Sequence, residues 1–507
     1  MKRAQWWTFV LGLTLLAGAG YATAQTPEER TAHHLDAIRQ QPSLLLDFLT
    51  RMPKGGDLHN HLSGAVYAES YINFAAHDSL CVDGSTMELL APPCDAAKGQ
   101  EAVSNAFGNS ALYNSMIDAW SMRNFHPSPG DRSGHDHFFA AFGKFGAVTE
   151  AHTGEMVAEV ASRAAAQHES YLELMFGPDQ GQAARLGKKL GWDDDFGKMR
   201  QRLLANGLMD AVAAGRKNLD EDEREMRQTL HCSDVRADAG CGVTVRYLYQ
   251  VLRGLPKETV FAQILCGFEM ARADSRVVGL NLVMPEDNYV PMHDFDLHMR
   301  MLDYLHKLYP EVHISLHAGE LAPGLVPPDG LSFHIRESVE VGHAERIGHG
   351  VDVMQETNPV GLLKEMAERH VLVEICLTSN DLILGVRGAE HPLPVYLLYG
   401  VPVALATDDE GVSRSELTWE YLRAAETYKL GYLELKKMVR DSLDHSFLAG
   451  ASLWEAPEKF RPVAACAGEA FKAQPVSEGC RKFLAASGKA QLEWNEEAEF
   501  SRFESGF

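Results

Sequence analysis

Apolar runs alternate with amphipathic stretches along most of the chain. Over 257–274, 294–308 and 359–369, apolar side chains recur every three or four residues, which is typical of helices packed on one face. Buried strands that alternate with such helices predict parallel βαβ units. Eight runs have the length and composition of buried strands, and they span 56–61, 170–176, 243–249, 277–283, 312–317, 345–348, 371–376 and 401–407.

Eight such units predict an α/β fold of the (β/α)8, TIM-type barrel, whose active site lies at the carboxyl ends of the strands. The alternative is an open doubly wound sheet, which a G-x-G-x-x-G turn after the first strand would favour; the sequence has no such turn there. Stretches 62–169 and 178–242 exceed what a minimal barrel needs, so we expect long insertions after strands 1 and 2. We expect a barrel domain over 53–450 that includes both insertions. A helical extension over 25–52 would precede it, and a helical, polar tail over 451–507 would follow it.

Residues 1–24 have the pattern of a secretory signal peptide. Basic residues precede an apolar run over 6–19, and the small side chains of Ala22 and Ala24 mark a cleavage site before Gln25. An uncleaved membrane anchor is the alternative, but the run is shorter than the roughly 20 residues that a spanning helix needs. The sequence therefore predicts an exported protein, periplasmic or secreted, with no membrane partner after cleavage.

Composition and charge narrow the class of partner. The 507-residue chain is 45% hydrophobic and 23% charged, which is ordinary for a globular protein and argues against wholesale disorder. Its 47 basic and 70 acidic residues give a net charge of −23, so a nucleic-acid partner is not expected. A soluble protein that acts on a small molecule suits this charge.

The cysteines suit an exported protein, in which disulfides can form. None of the eight belongs to a C-x-x-C pair, so a cysteine zinc site is not expected. Cys266 and Cys376 lie in apolar segments and are expected to be buried free thiols. The other six form pairs that are close in sequence and could close small loops: Cys81 with Cys94, Cys232 with Cys241, and Cys466 with Cys480.

Histidines and carboxylates end four of the predicted strands. The first strand ends in His-x-His, and residues two apart on a strand point to the same side. In a barrel these strand ends meet on one face. Three imidazoles and a carboxylate suit zinc, which lowers the pKa of a bound water to ~7. The candidates are His59 and His61, His317 and Glu320 after the fifth strand, His349 after the sixth, and Asp408 and Asp409 after the eighth.

Each candidate also has an ordinary structural explanation. His317 could be a core histidine, Glu320 could cap a helix, and the two adjacent aspartates could be an N-cap pair. Four separate strand ends with ligand-type residues in compatible order are nevertheless hard to obtain by chance, so the set predicts one metal site. Glu173, in the second strand, is expected to be a buried structural carboxylate.

Two features of the first insertion are less informative. Four phenylalanines between 138 and 145 recur at helical spacing, which is typical of a core, although a lid over a pocket is an alternative. His135 and His137 are expected to lie in a solvated loop.

Five motifs resemble those of the adenosine deaminase family of metal-dependent purine deaminases. They occur in the family's order, and the similarity runs from about residue 50 to about residue 445. The signal peptide, the first motif and the Cys81–Cys94 pair resemble its secreted, growth-factor-related branch. The motifs are Met52-Pro53-Lys54-Gly55 with Leu58-His59-Asn60-His61-Leu62, Ser315-Leu316-His317-Ala318-Gly319-Glu320, Arg346-Ile347-Gly348-His349-Gly350, Leu377-Thr378-Ser379-Asn380 and Ala406-Thr407-Asp408-Asp409.

The resemblance implies one zinc ion per chain and, from the branch alone, a homodimer. A position at the metal would remain for water. The implied ligands are His59, His61, His317 and Asp408.

The resemblance also implies catalytic roles. Glu320 would be protonated and donate to purine N1, while Asp409 would meet N7. His349 would orient the attacking hydroxide and help to take its proton, and Asp408 would accept a hydrogen bond from it. The implied reaction is hydrolytic deamination of adenosine, and of 2′-deoxyadenosine, to inosine and ammonia without a covalent enzyme intermediate.

Two expected substrate contacts depart from the family's pattern. Ser63 stands where the cytosolic branch has an aspartate that meets the ribose 5′-hydroxyl, and serine brings no charge. Met284 stands where a glycine N–H meets purine N3, so the N–H survives but the pocket narrows. Adenine or another N6-substituted purine is therefore an alternative substrate. A non-catalytic extracellular binding or signalling protein is a further alternative, which the complete ligand set argues against.

Overall fold

The computed structural model describes residues 25–127, 133–456 and 459–507. The predicted signal peptide, residues 1–24, lies outside the described residues. Within the described part of the chain, no helix combines the length and the apolar character of a membrane span.

Eight parallel strands form the predicted barrel. Each strand pairs with its neighbours in chain order, and a parallel bridge between Asn60 and Asp408 brings the last strand to the first. The predicted strands are confirmed, and their ends differ by only a few residues. Strands β1–β8 span Gly55–His61, Glu169–Phe176, Thr244–Leu252, Val277–Val283, His313–Ala318, Arg346–His349, Leu372–Ile375 and Val403–Leu405.

Several strands, such as Val277–Val283, are nearly continuous apolar runs because both faces of the sheet are covered. All residues of β6, β7 and β8 are buried. The helix Lys257–Ala273 is itself buried along most of its length, since it lies between β3, β4 and the second insertion. The helices around the barrel are Thr153–Ala166, Lys257–Ala273, Tyr289–His293, Phe295–His306, His334–Glu340, Pro359–Glu368, Leu377–Leu384, Leu393–Tyr399, Glu410–Ser413, Leu417–Thr427 and Tyr432–Asp444.

The two long insertions follow β1 and β2, as predicted. The first contains a small antiparallel sheet of Cys81–Asp83, Leu89–Leu90 and Gln100–Ala102. The second is helical and packs on the outside of Lys257–Ala273. Their helices are Leu62–Ala65, Ala68–His77, Ser110–Trp120 and His135–Phe145 in the first, and Gln182–Leu190, Phe196–Ala205 and Leu208–Thr229 in the second.

The N-terminal extension forms two helices, Pro27–Ile38 and Pro42–Arg51, and the first of them contacts the tail helix Gly488–Glu504. Lys54 then fixes the start of β1. Its buried ammonium donates to three backbone carbonyls, because the chain turns around it between the second helix and β1. The acceptors are Met52 O at 2.9 Å, Gln167 O at 2.7 Å and Thr50 O at 3.3 Å.

The tail beyond the barrel is not simply polar, so that expectation is wrong. Apolar side chains, among them Trp454 and Trp494, gather with the Cys466–Cys480 disulfide into a cluster separate from the main core. They lie in irregular segments as well as in helices, so no single period marked them in the sequence. The tail elements are Trp454–Ala456, Arg461–Pro462, Glu478–Ala486 and Gly488–Glu504.

All three proposed cysteine pairs form disulfides, and Cys266 and Cys376 are buried free thiols. The pairs formed because each closes a short surface loop, whereas both free thiols belong to the packed interior. Short 3₁₀ segments complete the described structure, at Ala96–Lys98, Val103–Gly108, Gly146–Val148, Ala239–Gly242, Pro328–Leu331, Val353–Gln355 and Gly388–Glu390.

Candidate metal centre and active site

The closure of the barrel creates the centre of the site. Asp408 N donates to His59 O at 2.8 Å, and His61 N donates to Asp408 O at 3.0 Å, so the backbones that carry three predicted ligands are bonded to one another. Asp408 has φ +61°, in the left-handed region that costs a non-glycine residue about 1–3 kcal/mol. The surrounding closure therefore imposes this backbone conformation and aims the carboxylate into the barrel mouth.

The four predicted metal ligands converge on one point. His61 Nε2 lies 3.1 Å from His317 Nε2 and 3.3 Å from Asp408 Oδ1. His59 Nε2 lies 3.5 Å from the same Asp408 oxygen. His349 also joins the cluster, since a ligand atom from each of His59, His317, His349 and Asp408 lies within 4.8 Å of the others.

The far nitrogen of each ligand imidazole faces a side-chain oxygen. An oxygen of this kind accepts, so each Nδ1 carries the ring proton and each Nε2 presents its lone pair to the centre. Among the described residues, the buried Nε2 of His59 has no hydrogen-bond partner. The Nδ1 contacts are His59 to Glu374 Oε2 at 2.7 Å, His61 to Gln250 Oε1 at 3.3 Å, and His317 to Asn281 Oδ1 at 2.8 Å.

Glu374 links His59 to a buried ion-pair network along the barrel axis. Its other oxygen accepts from Arg346 Nε at 2.7 Å and from Ser315 Oγ at 3.0 Å. Arg346 in turn donates to Glu173 at 2.6 Å, which confirms Glu173 as a buried structural carboxylate. Burial opposes the charge on Glu374, but Arg346 and His59 outweigh it and hold the pKa of this carboxyl below its ordinary value.

Asp408 is held as a carboxylate. Its Oδ2 accepts from Ser379 Oγ at 2.6 Å. Burial raises the pKa of Asp408, but the surrounding imidazoles lower it further, to well below its ordinary value. Three imidazole lone pairs and one anionic oxygen therefore form a donor set that fits zinc.

Glu320 follows β5 in a rigid loop. The backbone N–H groups of Gly319 and Glu320 donate to Glu286 at 3.0 and 2.8 Å, and Glu286 also bonds the buried His334. Burial, together with the negative charges of Asp408 and Glu286, raises the pKa of Glu320 well above its ordinary value. The shift favours the protonated form of this side chain, which is the form that can donate a proton.

Asp409 is a second buried carboxyl group that lines the cavity. Burial and the charge of Asp408 raise its pKa well above the ordinary value. Within the described structure, its buried Oδ1 has no hydrogen-bond partner. Gly64 makes room for it, since a Cβ at that position would lie 1.5 Å from Asp409 Oδ1.

His349 ends β6 with φ +69°, and its Nε2 lies 3.7 Å from Glu320 Oε1. Its Nδ1 accepts from Asn380 Nδ2 at 3.0 Å. Burial lowers the pKa of His349 to about 3, so the ring is neutral at physiological pH.

These groups open into a cavity of about 490 Å³, which is within the usual range for small-molecule sites. Ser63 and Met284 both line it, as predicted for substrate contacts. Met284 has φ +87°, a conformation that favours glycine, and Arg253 Nε bonds its carbonyl at 3.3 Å. A methionine thus adopts the backbone conformation of a glycine and narrows the pocket.

The helix His135–Phe145 forms an outer wall of this cavity. Phe138, Phe139 and Phe142 line it, which favours the alternative of a lid, whereas Phe145 packs on Tyr71. The expectation that His135 and His137 lie in a solvated loop is wrong, because they begin this helix and are paired. His135 Nε2 bonds Asp287 Oδ1 at 3.0 Å, and His137 Nε2 bonds two backbone carbonyls.

A second cavity of about 350 Å³ adjoins the first and shares Ser63, Gln250 and Leu252 with it. Three carboxylates line it, and among its described lining residues Arg185 is the one basic side chain. The carboxylates are Glu150, Asp179 and Asp222.

Sequence reasoning found the residues that face the metal but missed those that hold them. Only Ser379 and Asn380 gave any signal, since they belong to a recognised motif without an assigned role. Gln250, Asn281 and Glu374 are single polar residues within apolar strands, whereas Glu286 and His391 lie in loops, and nothing in the sequence distinguishes them from ordinary polar residues. The missed residues are Gln250, Asn281, Glu286, Glu374, Ser379, Asn380 and His391.

Comparisons with known proteins agree with this geometry. The family model described as adenosine deaminase matches residues 131–453. An adenosine deaminase of Enterococcus faecalis is 31% identical over 177 residues, which is 35% of this chain and 47% of that protein. One of Escherichia coli is 36% identical over 138 residues, or 27% of this chain and 38% of that protein. The matched segment thus spans about half or less of these curated relatives.

Among solved structures, the apo N6-methyl-AMP deaminase of Arabidopsis thaliana has a similar fold. The TM-score is 0.52 at 19% sequence identity, and the match covers 80% of this chain and 94% of that one. This likeness supports the barrel architecture.

Proposed function

The chain belongs to the adenosine deaminase family of metal-dependent hydrolases, and from this we propose that it is a zinc-dependent adenosine deaminase. Its reaction would convert adenosine and 2′-deoxyadenosine with water to inosine or 2′-deoxyinosine and ammonia. The observation that carries the proposal is the placement of Glu320, whose pKa is raised by burial, beside a three-imidazole, one-carboxylate cluster in a single cavity.

The proposed metal is zinc, held by His59, His61, His317 and Asp408. Two observations support this assignment. The buried Nε2 of His59 has no hydrogen-bond partner among the described residues, and the Nδ1 of each of the three rings faces a side-chain oxygen. When bound there, zinc would supply hydroxide at neutral pH by lowering the pKa of water.

The side chains divide the remaining chemistry. Glu320 donates its proton to purine N1, which makes C6 more electrophilic as hydroxide adds to it. One proton of the water passes to N6, the C6–N6 bond breaks and ammonia leaves. The other water proton restores Glu320, so water is the only co-reactant. Asp409, which is protonated, donates a hydrogen bond to N7 and fixes the ring, while Asp408 stays an acceptor for the attacking oxygen.

The cavities favour a nucleoside over free adenine. The second cavity shares Ser63, Gln250 and Leu252 with the first, which supports a place for a group beyond the base. Glu150 and Asp179 disfavour a 5′-phosphate, because like charges repel and Arg185 is the one basic side chain among the described lining residues. Asp222 contributes less, since burial raises its pKa to about 7. Adenine and N6-substituted purines remain the alternative substrates.

We further propose that the protein is exported, periplasmic or secreted, after removal of residues 1–24. The sequence pattern of that segment supports this, as do the three disulfides, which are typical of oxidising compartments. Its partner would be a small purine nucleoside rather than nucleic acid or membrane. A homodimer and membership of the growth-factor-related branch stay predictions.

The test is loss of absorbance near the adenosine maximum, measured with purified protein lacking residues 1–24. Turnover that stops with a chelator and returns with zinc would support both the metal and the reaction. If zinc-loaded, folded protein leaves adenosine unchanged, a panel of adenine and N6-substituted purines decides whether another deaminase reaction occurs. Failure of that panel as well would leave the non-catalytic binding protein.

A further inference from the structure

We propose that His391 and Asn380 set the tautomer of His349, so that its single proton resides on Nε2, the nitrogen that faces the reacting atoms. Three consecutive buried hydrogen bonds, the first donated by a backbone N–H, determine which nitrogen of His349 is protonated. The catalytic consequence rests on the proposed function, whereas the tautomer can be measured without turnover.

The chain begins at the backbone N–H of Leu393, which lies 3.1 Å from His391 Nδ1. A backbone N–H can only donate, so His391 Nδ1 must present a lone pair. Burial lowers the pKa of His391 to about 4, and the neutral ring therefore has one proton, which must be on Nε2.

Asn380 passes this constraint to His349. His391 Nε2 donates to Asn380 Oδ1 at 3.0 Å, so the amide is oriented with its NH2 group toward His349. Asn380 Nδ2 donates to His349 Nδ1 at 3.0 Å, which leaves that nitrogen unprotonated. All three side chains are at most 2% exposed, so bulk water cannot replace any of these bonds.

The consequence is that His349 presents an N–H to the cavity. Its Nε2, 3.7 Å from Glu320 Oε1, can donate to the attacking oxygen and hold it in line with C6. A neutral imidazole in this tautomer has no lone pair on that side. His349 would therefore orient the attacking oxygen but would not take its proton, unlike the role that the family resemblance implies. His391 is then a positioning residue, which acts on the substrate only through Asn380 and His349.

Asn380→Asp inverts the proposed constraint at nearly constant volume. A carboxylate accepts from both imidazoles, so the His349 proton would move to Nδ1 and Nε2 would lose its N–H. A catalytic imidazole in the wrong tautomer costs serine proteases ~10⁴ in kcat, and we expect a loss of at least ~10² here, with KM little changed. His391→Gln keeps an N–H donor for Asn380 and should retain most of kcat, whereas His391→Leu has no donor and should not.

Selective ¹⁵N labelling of histidine gives the direct readout. In metal-free and zinc-loaded protein, the NMR spectrum should show His349 Nε2 as the protonated nitrogen, and Asn380→Asp should exchange the two signals. Asn495→Asp, on the exposed side of the last helix, controls for the added charge and should change neither signal nor rate.

A wild-type His349 with its proton on Nδ1 would overturn the proposal. So would an Asn380→Asp variant that inverts the tautomer but keeps the wild-type kcat, because the tautomer would then be catalytically irrelevant. If wild-type protein deaminates no purine, the proposed function fails, while the NMR result still decides the tautomer.

Discussion

Replacement of Glu374 by glutamine should weaken both the metal site and the fold, because this one carboxylate serves both. One oxygen holds His59 Nδ1 at 2.7 Å, and the other accepts from Arg346 at 2.7 Å and Ser315 at 3.0 Å. Glutamine preserves the volume but replaces a charged acceptor by a neutral amide. One of its two terminal groups can no longer accept.

The magnitude follows from these contacts. Loss of a partner that orients a metal-bound histidine typically costs 10–100-fold in metal affinity, and we expect about that loss here. Removing one partner of a buried ion pair costs about 3–5 kcal/mol. Arg346 keeps its bond to Glu173, so we expect a smaller loss, of about 2–4 kcal/mol in the free energy of unfolding.

Zinc affinity is measured by competition with a chelator of known affinity, and stability by urea unfolding of the metal-free protein. Glu345→Gln is the matched control: it also lies at the barrel and pairs with His313 at 2.9 Å, but its side chain is 49% exposed. An exposed pair contributes about 0–1 kcal/mol, so this variant should change stability little and affinity not at all. If both variants lost zinc equally, or if Glu374→Gln bound zinc like the wild type, the account of His59 would be wrong.

Three further predictions follow from the site and the fold. Glu320→Gln should retain bound zinc but lose ~10²–10⁴ in kcat, because the proton donor for N1 is removed; full activity of the folded, metal-loaded variant would refute that role. AMP should be a poorer substrate than adenosine by at least ~10-fold in kcat/KM, since the carboxylates of the second cavity repel its phosphate, and comparable values would contradict the assignment of that cavity to the 5′ side. Lys54→Met should lower the free energy of unfolding by about 1–3 kcal/mol, because three backbone carbonyls lose their donor; urea midpoints against Lys98→Met, whose side chain is 73% exposed, check this.

The residues of the candidate site could be predicted because the strands of a parallel barrel present the same end to one face, so residues that are far apart in sequence meet there. His59, His317, His349 and Asp408 each end or follow a strand, and all strands present the same end to one face. The order of eight apolar runs was therefore enough to bring these residues together. The cysteine pairs were equally local, since each closes a loop of 9 to 14 residues in sequence separation.

Tertiary structure alone decided what surrounds those residues. Glu374 and Asn281 lie inside apolar strands, and only the barrel's curvature shows that their side chains point inward to imidazoles from other strands. The left-handed conformations of Asp408 and Met284 depend on strand closure and on Arg253, which local sequence does not encode. The protonation of Glu320 likewise needs burial and two charges that are distant in sequence.

The sequence by itself thus determined the fold class, the set of residues facing the metal and the cross-links, because these depend on periodicity and short spacings. Packing decided the side chains that bond the ligand imidazoles, the phenylalanine wall, the apolar cluster of the tail and the hydrogen bonds from Leu393 to His349. Each of these joins side chains remote along the chain, and the distances and directions that define a hydrogen bond exist only once the chain has folded.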